Sequence, residues 1–302
     1  MSTKPTILHM LDPNPRVSPF DVNMAVDAGF QHIIPYTNVG MDEVLGLTQD
    51  AIFSRGPTGV KATGLFIGGR DPWLALDMVA EARKSMVPPF EMAVFADPSG
   101  GFTTAAGLVA VVAEQMQEAG LKGGLDGTKV AIFGGTGPVG LVSAVLAADA
   151  GAEVVVVSHR SAEAAAKHTA VLKERYGIDT IPGDGSSESS RAKILKDVHA
   201  VMSTAKAGIQ ILSNKELCAA PELLVAADVN AVPPLGLEGV GVSDRGKILE
   251  GTVRGARGVG ALAVGDVKYR TQNRLFQDML AGDGTLDLEF RAAMKRAMEL
   301  LG

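Results

Sequence analysis

The chain has 302 residues, a net charge of −6, and 46% hydrophobic against 21% charged residues. That is enough apolar material for two modest cores, without the basic excess that nucleic-acid binding demands. No apolar run approaches the roughly 20 residues of a membrane span and no apolar leader opens the chain, so a cytoplasmic protein with neither membrane nor nucleic-acid partners is expected. Cys218 is the only cysteine, which excludes an internal disulfide and a cysteine-based metal cluster. In Glu216-Leu217-Cys218-Ala219-Ala220 it reads as a small buried helix residue, and no metal site is expected.

In chain order, strands are predicted at 6–11, 32–36, 63–67 and 92–96, separated by helices at 19–28, 42–53 and 72–85. A long helix at 103–118 leads into a second half with strands starting at Lys129 and Glu153 and at 200–202 and 223–227, alternating with helices. Gly183-Asp184-Gly185-Ser186-Ser187 and Gly282-Asp283-Gly284 read as turns, and final helices are expected at 267–280 and 286–301. The alternation implies an α/β fold of two lobes with largely parallel sheets. A Rossmann-type nucleotide domain is expected over 103–274, and a smaller α/β substrate domain over 1–102 with 275–302.

The segment Lys129-Val130-Ala131-Ile132-Phe133-Gly134-Gly135-Thr136-Gly137-Pro138-Val139-Gly140 is an apolar strand running into G-x-G-x-x-G. A helical run and a second strand, 153–157, follow. That order lifts a weak glycine pattern into a dinucleotide site. Gly135 is expected to make the tight turn, Gly137 to let backbone approach a pyrophosphate, and Gly140 to let helix and strand pack; Thr136, Pro138 and Val139 complete the cradle. A bare strand-to-helix turn is the alternative. The second strand ends in Val157-Ser158-His159-Arg160-Ser161, with no Asp or Glu to receive an adenosine ribose. Arg160 offers a forked cation to a 2'-phosphate, so NADP is favoured over NAD, with Ser158, His159 and Ser161 around the same ribose. Solvation of a helix start is the competing role for His159 and Arg160.

Three polar clusters interrupt apolar patterns: Ser18-Pro19-Phe20-Asp21-Val22-Asn23, Asp97-Pro98-Ser99-Gly100-Gly101-Phe102-Thr103-Thr104 and Asp228-Val229-Asn230-Ala231-Val232-Pro233-Pro234. Together they suggest a ligand site, by default in a cleft between the lobes. Taken singly, Ser18, Asp21, Ser99 and Thr103 serve equally well as helix caps, and Asp228 and Asn230 as turn supports.

These clusters also carry a family resemblance. With Ile7-Leu8-His9-Met10-Leu11, Leu47-Thr48-Gln49-Asp50-Ala51-Ile52-Phe53-Ser54-Arg55, Phe66-Ile67-Gly68-Gly69, Val94-Phe95-Ala96-Asp97-Pro98, Gly258-Val259-Gly260-Ala261-Leu262-Ala263-Val264-Gly265 and Val267-Lys268-Tyr269, the chain resembles the bacterial NAD(P)-dependent methylene-tetrahydromethanopterin dehydrogenases of methylotrophs over essentially its whole length. The resemblance implies hydride transfer from methylene-tetrahydromethanopterin to NADP or NAD, within formaldehyde oxidation, by a homo-oligomer. The reacting carbon lies between two amine nitrogens whose lone pairs expel the hydride. No proton leaves carbon, so orientation and tolerance of the new cation suffice, and the want of a nucleophile triad or paired acid and base is compatible with that chemistry.

On this reading Ser203, Thr204 and Ala205 lie along the nicotinamide ribose, and Asp228, Val229 and Asn230 near the carboxamide. Asp97 takes the pterin's amino-pyrimidine edge and favours the cationic product. Phe20, Asp21 and Asn23 line the same wall with Ser99 and Thr103, and Lys268, at a loop-to-helix junction, bonds the pterin carbonyl unless it is simply a surface lysine. The related folate dehydrogenase-cyclohydrolases use a Tyr followed four positions later by a catalytic Lys. Here Tyr36-Thr37-Asn38-Val39-Gly40 has glycine there, so no cyclohydrolase activity is expected. The alternatives are a methylene-tetrahydrofolate dehydrogenase, a shikimate-type NADP enzyme, for which Lys61 and Asp97 would have to pair at a hydroxyl, and a non-enzymatic NADP-sensing module.

Overall fold

The computed structural model describes residues 4–282 and 285–302, so Asp283 and Gly284 of the expected final turn lie outside the described residues. The strands are β1 (Ile7–Asp12), β2 (His32–Thr37), β3 (Thr63–Ile67), β4 (Ala93–Ala96), β5 (Lys129–Phe133), β6 (Glu153–Ser158), β7 (Ile181–Asp184), β8 (Ala200–Ser203), β9 (Val225–Asp228), β10 (Arg245–Ile248), β11 (Arg257–Val259) and β12 (Asp287–Leu288). The chain divides into two compact units, residues 4–103 with Tyr269–Leu300, and Thr104–Lys268 with Leu301–Gly302. Both are α/β.

The first unit holds a sheet ordered β12-β4-β3-β1-β2, parallel throughout. β3 and β4 are buried along their whole length, which is why they read as unbroken apolar runs and not as alternating ones. β2 is an edge strand, and there Pro35 pairs with Met10 of β1; its missing N–H costs no interior ladder bond. The helix Pro72–Lys84 starts where Asp71 accepts the Trp73 and Leu74 amides at 2.8 and 3.2 Å, a cap reinforced by proline in the first turn. Phe66, Phe95 and Phe276 pack in the core, with ring centroids 5.4 Å apart for Phe66–Phe95 and 5.0 Å for Phe95–Phe276.

The second unit's sheet runs β10-β11-β9-β8-β5-β6-β7, with only β10 antiparallel. Its first six strands, counted from β5 and omitting the antiparallel β10, take the order 3-2-1-4-5-6 of a dinucleotide-binding sheet. The switch in strand order falls between β5 and β8, just where the glycine turn leaves β5. The helix that follows, Pro138–Asp149, is buried from Gly140 to Ala147, in keeping with its apolar character on every side.

Four expectations need correction. Leu286–Leu288 do not start a helix: β12 pairs with β4, the Val94 amide donates to the Leu286 carbonyl at 2.9 Å, and Arg83 grips Asp287, so the final helix is Phe290–Leu301. Gly183 and Asp184 end β7 instead of forming a turn, and Gly183 sits there because a Cβ would lie 2.8 Å from Val155 Cγ1. The helix expected from 267 begins at Ala261, which places Lys268 within it and not at its start. Cys218 ends the helix Asn214–Cys218 half-buried, its thiol directed to Asn214 Oδ1 and the Glu250 carbonyl.

Because Phe276 fills the middle of the first unit's aromatic core, Phe276→Ala is expected to lower the unfolding free energy by about 3–5 kcal/mol. Denaturant titration checks this, and a loss below about 1 kcal/mol would show that the site collapses around the cavity.

Candidate functional site

In the second unit the chain leaves β5 through Gly134, whose φ of 74° is the left-handed turn state. The turn residue is therefore Gly134, one position before the expected Gly135. Gly135 is constrained by space: its amide donates to the Val157 carbonyl, and a Cβ would lie 2.6 Å from the Ile132 carbonyl oxygen. At Gly140 a Cβ would come within 2.7 Å of Gly134 O and 2.8 Å of Thr204 Oγ1, the close helix-to-turn packing anticipated there. Gly137 differs from both. It is the extended N-cap of Pro138–Asp149, with φ −84°, and an added Cβ would meet only Gly134 O, at 3.3 Å.

Above this turn lies a cavity of about 550 Å³. It is bounded by Gly134, Gly137, His159 after β6, Ser186 and Arg191 after β7, and Thr204, Ala205 and Lys206 after β8. All these follow the carboxyl ends of parallel strands beside the switch point, where open α/β sheets hold ligands. A helix N-terminus with its unpaired first-turn amides borders the same space, and no acidic residue occupies its first turn. The residues present thus fit a dinucleotide pyrophosphate: glycine at the bordering positions, backbone donors, and cations in place of carboxylates.

The other residues expected around the nucleotide divide. Ser158 is buried and accepts the Arg160 amide at 3.2 Å, and Ser161 accepts the Ala164 amide, capping Ala162–Tyr176. Arg160 lines a separate, outer groove of about 320 Å³ with Lys167 and His168. Thr204 donates to the Phe133 carbonyl through both its amide and hydroxyl, while Ser203 is buried with its hydroxyl unpartnered. Asp228 accepts the Asn230, Gly236 and Leu237 amides, at 3.1, 2.7 and 3.1 Å, and Asn230 bonds the Pro234 carbonyl and Val232 amide. These two residues hold their own loop together, and neither they nor the half-buried Val229 line the cavity. Thr136, Pro138 and Val139 belong to the turn but do not border it either.

Sequence reasoning missed Ser186, Arg191 and Lys206. Arg191 is fixed through Nε to Glu216 Oε1 at 2.7 Å, and Glu216 also accepts from Ser213. Burial alone would raise the Glu216 carboxyl, but the bonds from Arg191 and Ser213 outweigh it and hold it below its ordinary range.

In the first unit a second cavity, about 310 Å³, is bounded by Asp12, Asn14, Pro15, Arg16, Ser18, Asp21, Gly69, Arg70 and Ser99. Ser18 precedes Pro19–Ala28 but makes no side-chain cap bond, and Ser99, at φ 53°, donates to the Gly69 carbonyl at 2.8 Å. Asp21 accepts the buried Gln272 Nε2 at 2.7 Å. Phe20 and Asn23, on the same helix, are exposed and do not border the cavity.

Asp97 proves to be a capping residue, not part of an open wall. It is wholly buried; Oδ1 accepts the Phe102 and Thr103 amides at 2.9 and 3.1 Å, and Oδ2 accepts the Thr103 hydroxyl at 2.6 Å. Asp97 and Thr103 therefore organise the start of the helix Gly101–Glu118, and a Lys61–Asp97 pair at a substrate hydroxyl finds no support. Lys268 is half-buried within Ala261–Ala281, where a Cβ on Gly107 would meet Val264 O at 3.1 Å and Lys268 N at 3.2 Å. Among the described residues no group of side chains has the make-up of a metal site, and no helix is long and apolar enough to cross a membrane.

Comparison with known proteins agrees with this geometry. The family described as "Methylene-tetrahydromethanopterin dehydrogenase, N-terminal" matches residues 19–99. The chain is 48% identical to the NAD(P)-dependent methylenetetrahydromethanopterin dehydrogenase of Methylorubrum extorquens, over 98% of this chain and 99% of that protein. It is 32% identical to the bifunctional protein MdtA of the same organism, over 94% and 95% of the two chains. Among solved structures, shikimate 5-dehydrogenase from Listeria monocytogenes, in complex with shikimate and NAD, superposes with a TM-score of 0.53 at 13% identity, covering 100% of this chain and 98% of that one. At that identity the likeness speaks for the fold alone.

Removing the Asp97 carboxylate strands three buried donors, so Asp97→Ala is expected to cost about 2–4 kcal/mol of stability. At a temperature where the variant remains folded, its dinucleotide affinity should match the parent's. Calorimetry and a binding titration check the two halves of the statement, and an unchanged melting temperature would contradict the capping role.

Proposed function

The chain belongs to the family of NAD(P)-dependent methylenetetrahydromethanopterin dehydrogenases, and we propose from that premise that it oxidises methylene-tetrahydromethanopterin to methenyl-tetrahydromethanopterin with reduction of NADP or NAD. The observation carrying this reading is the 550 Å³ cavity over the Gly134 and Gly137 turn at the β5–β8 switch point, in a chain akin to such an enzyme from end to end. The coenzyme, when bound, supplies the hydride acceptor. The protein's part is to bind and orient. Gly134 and Gly137 border the cavity with Thr204 and Ala205, and Gly135, Thr136, Pro138, Val139 and Gly140 complete the turn and helix start that present the pyrophosphate cradle from below. No side chain is required to take a proton from carbon, and in each unit a buried acid is instead engaged by the chain's own backbone amides, Asp97 in the first and Asp228 in the second.

NADP is the preferred coenzyme on this reading. Arg160 and Lys167 border an outer groove together with Ser161, Glu163 and His168, and no carboxylate ends β6. The pterin belongs to the first unit, where the family description matches and where Asp21 and Ser99 border a polar cavity. Asp97 and Thr103 act there by holding the helix start. A homo-oligomer in the cytoplasm completes the reading, supported by the uncovered edge strand β2 with its exposed Ile34. With Gly40 capping the helix Met41–Phe53 where a catalytic lysine would be needed, no cyclohydrolase activity accompanies the dehydrogenase.

Adding formaldehyde to tetrahydromethanopterin, NADP and the enzyme should make the absorbances of NADPH and the methenyl pterin grow together, and growth of neither would reject the function. Arg160→Ala should raise the KM for NADP about tenfold while leaving that for NAD nearly unchanged, since the lost contact is charge-assisted and only the phosphate uses it. An equal loss with both coenzymes would remove Arg160 from the phosphate site.

A further inference from the structure

The first unit's cavity gathers, beside Asp21, three charged groups to which no role has yet been given, Asp12, Arg16 and Arg70. Asp12 ends β1, Gly69 and Arg70 follow β3, and Ser99 follows β4. These strands are neighbours in a parallel sheet, so the cavity sits over their carboxyl ends, the ligand side of such sheets. Asp12 and Asp21 are only 5% and 4% exposed. Asp12 accepts the Asn14 amide at 2.8 Å and Asp21 accepts Gln272 Nε2. Arg16 and Arg70 border the same space, are exposed, and form no ion pair among the described residues.

Two carboxylates withdrawn from water beside two uncommitted guanidiniums are costly for a folded chain to maintain. The arrangement is complementary to a planar heterocycle that shows N–H donors on one edge with a carbonyl alongside. Burial pushes the Asp12 carboxyl above its ordinary range, against the opposing pull of the Asn14 and Gly69 amides and the Arg70 charge. A ligand bringing two N–H groups would relieve that cost. At about 310 Å³ the cavity lies at the small end of ligand pockets, suited to a bicyclic ring and not to a whole tailed coenzyme.

We propose that this cavity reads the aminopyrimidinone ring of the pterin, with Asp12 and Asp21 accepting its amino and ring N–H protons and Arg70 donating to its carbonyl. The assignment rests on the dehydrogenase reading above and moves ring recognition from Asp97, which caps a helix, to Asp12. It makes Asp12 a specificity-determining residue: an analogue lacking the amino group would leave a buried carboxylate unpaired, a penalty that apolar contact cannot repay.

The test uses the intact enzyme with Asp12→Asn, which keeps an acceptor for the Asn14 amide, and Arg70→Ala, at an exposed position. Initial rates are measured with methylene-tetrahydromethanopterin, and competition with tail-less 6-methyltetrahydropterin and its 2-desamino counterpart. Asp12→Asn should raise the KM for the methylene pterin about 100-fold, within the worth of one charge-assisted bond, and leave the KM for NADP unchanged. Arg70→Ala should raise the pterin KM about tenfold. The tail-less pterin should inhibit the parent and lose that inhibition in Asp12→Asn, whereas the desamino compound should bind both equally poorly. Equal inhibition of parent and Asp12→Asn by the tail-less pterin would overturn the proposal. So would an Arg70→Ala variant that binds the tail-less pterin normally while losing the full substrate, because the guanidinium would then serve the tail. Should the parent enzyme turn over no methylene pterin, it is the dehydrogenase reading that fails, and calorimetric titration of the tail-less pterin into parent and Asp12→Asn still decides for or against the cavity.

Discussion

The nucleotide half of the molecule depends on the convergence of β5, β6, β8 and the helix Pro138–Asp149 at three positions where no side chain fits. Gly134 turns with positive φ against Ala205, Gly135 lies against the Ile132 carbonyl and the end of β6, and Gly140 brings the helix onto the turn itself. Because these contacts are made by backbone, the helix N-terminus and the loop after β8 are brought close to the mouth of β5, and the cavity above them is bordered by amides and not by bulk. A methyl group at any of the three would press on backbone, which cannot move aside as a flexible side chain does. Gly137 is the least crowded of the four, an added Cβ meeting only Gly134 O at 3.3 Å, so its lack of a side chain serves the space above more than the packing below.

Buried carboxylates play two different parts. Asp97 and Asp228 each gather amides from residues further along the chain and so fix, respectively, the start of the helix Gly101–Glu118 and the loop through Leu237. Their lone pairs are consumed by the fold. Asp12 and Asp21 border a cavity beside exposed guanidiniums. The difference is not one of burial, since all four are buried, but of place: Asp97 and Asp228 border neither of the two cavities, whereas Asp12 and Asp21, though each accepts a bond from the chain, also line one.

How much of this the sequence discloses follows the same division. The glycine turn, the paired lobes and most strands were legible, because apolar runs buried on both faces and a strand-glycine-helix order are local signals. Asp97 was not. Its carboxylate caps amides five and six residues ahead, beyond the two- or three-residue reach of an ordinary helix cap, so the spacing hid the role. β12 escaped notice because a two-residue strand is defined by a partner nearly two hundred positions away, and its alternation, Leu286, Leu288 and Phe290, is cut short by the helix that starts at Phe290. The polar strand β10, Arg245-Gly246-Lys247-Ile248, has no apolar signature at all. Asp12 was legible in principle as the charge that ends the apolar run of β1, yet only the fold brings Arg70 into the cavity it borders. Membership of the dehydrogenase family could be read from motifs spread along the whole chain, whereas the distribution of roles among the aspartates could not.

The central claim is that the coenzyme lies over the glycine turn, against Gly137. Fluorescence titration of NADPH into Gly137→Val tests it most directly, since φ at that position suits any residue and an added Cβ meets only Gly134 O, at 3.3 Å. The variant should fold and melt like the parent while its affinity falls roughly 100-fold or more, about 2.7 kcal/mol. Parental affinity for NADPH in a folded Gly137→Val protein would contradict the account.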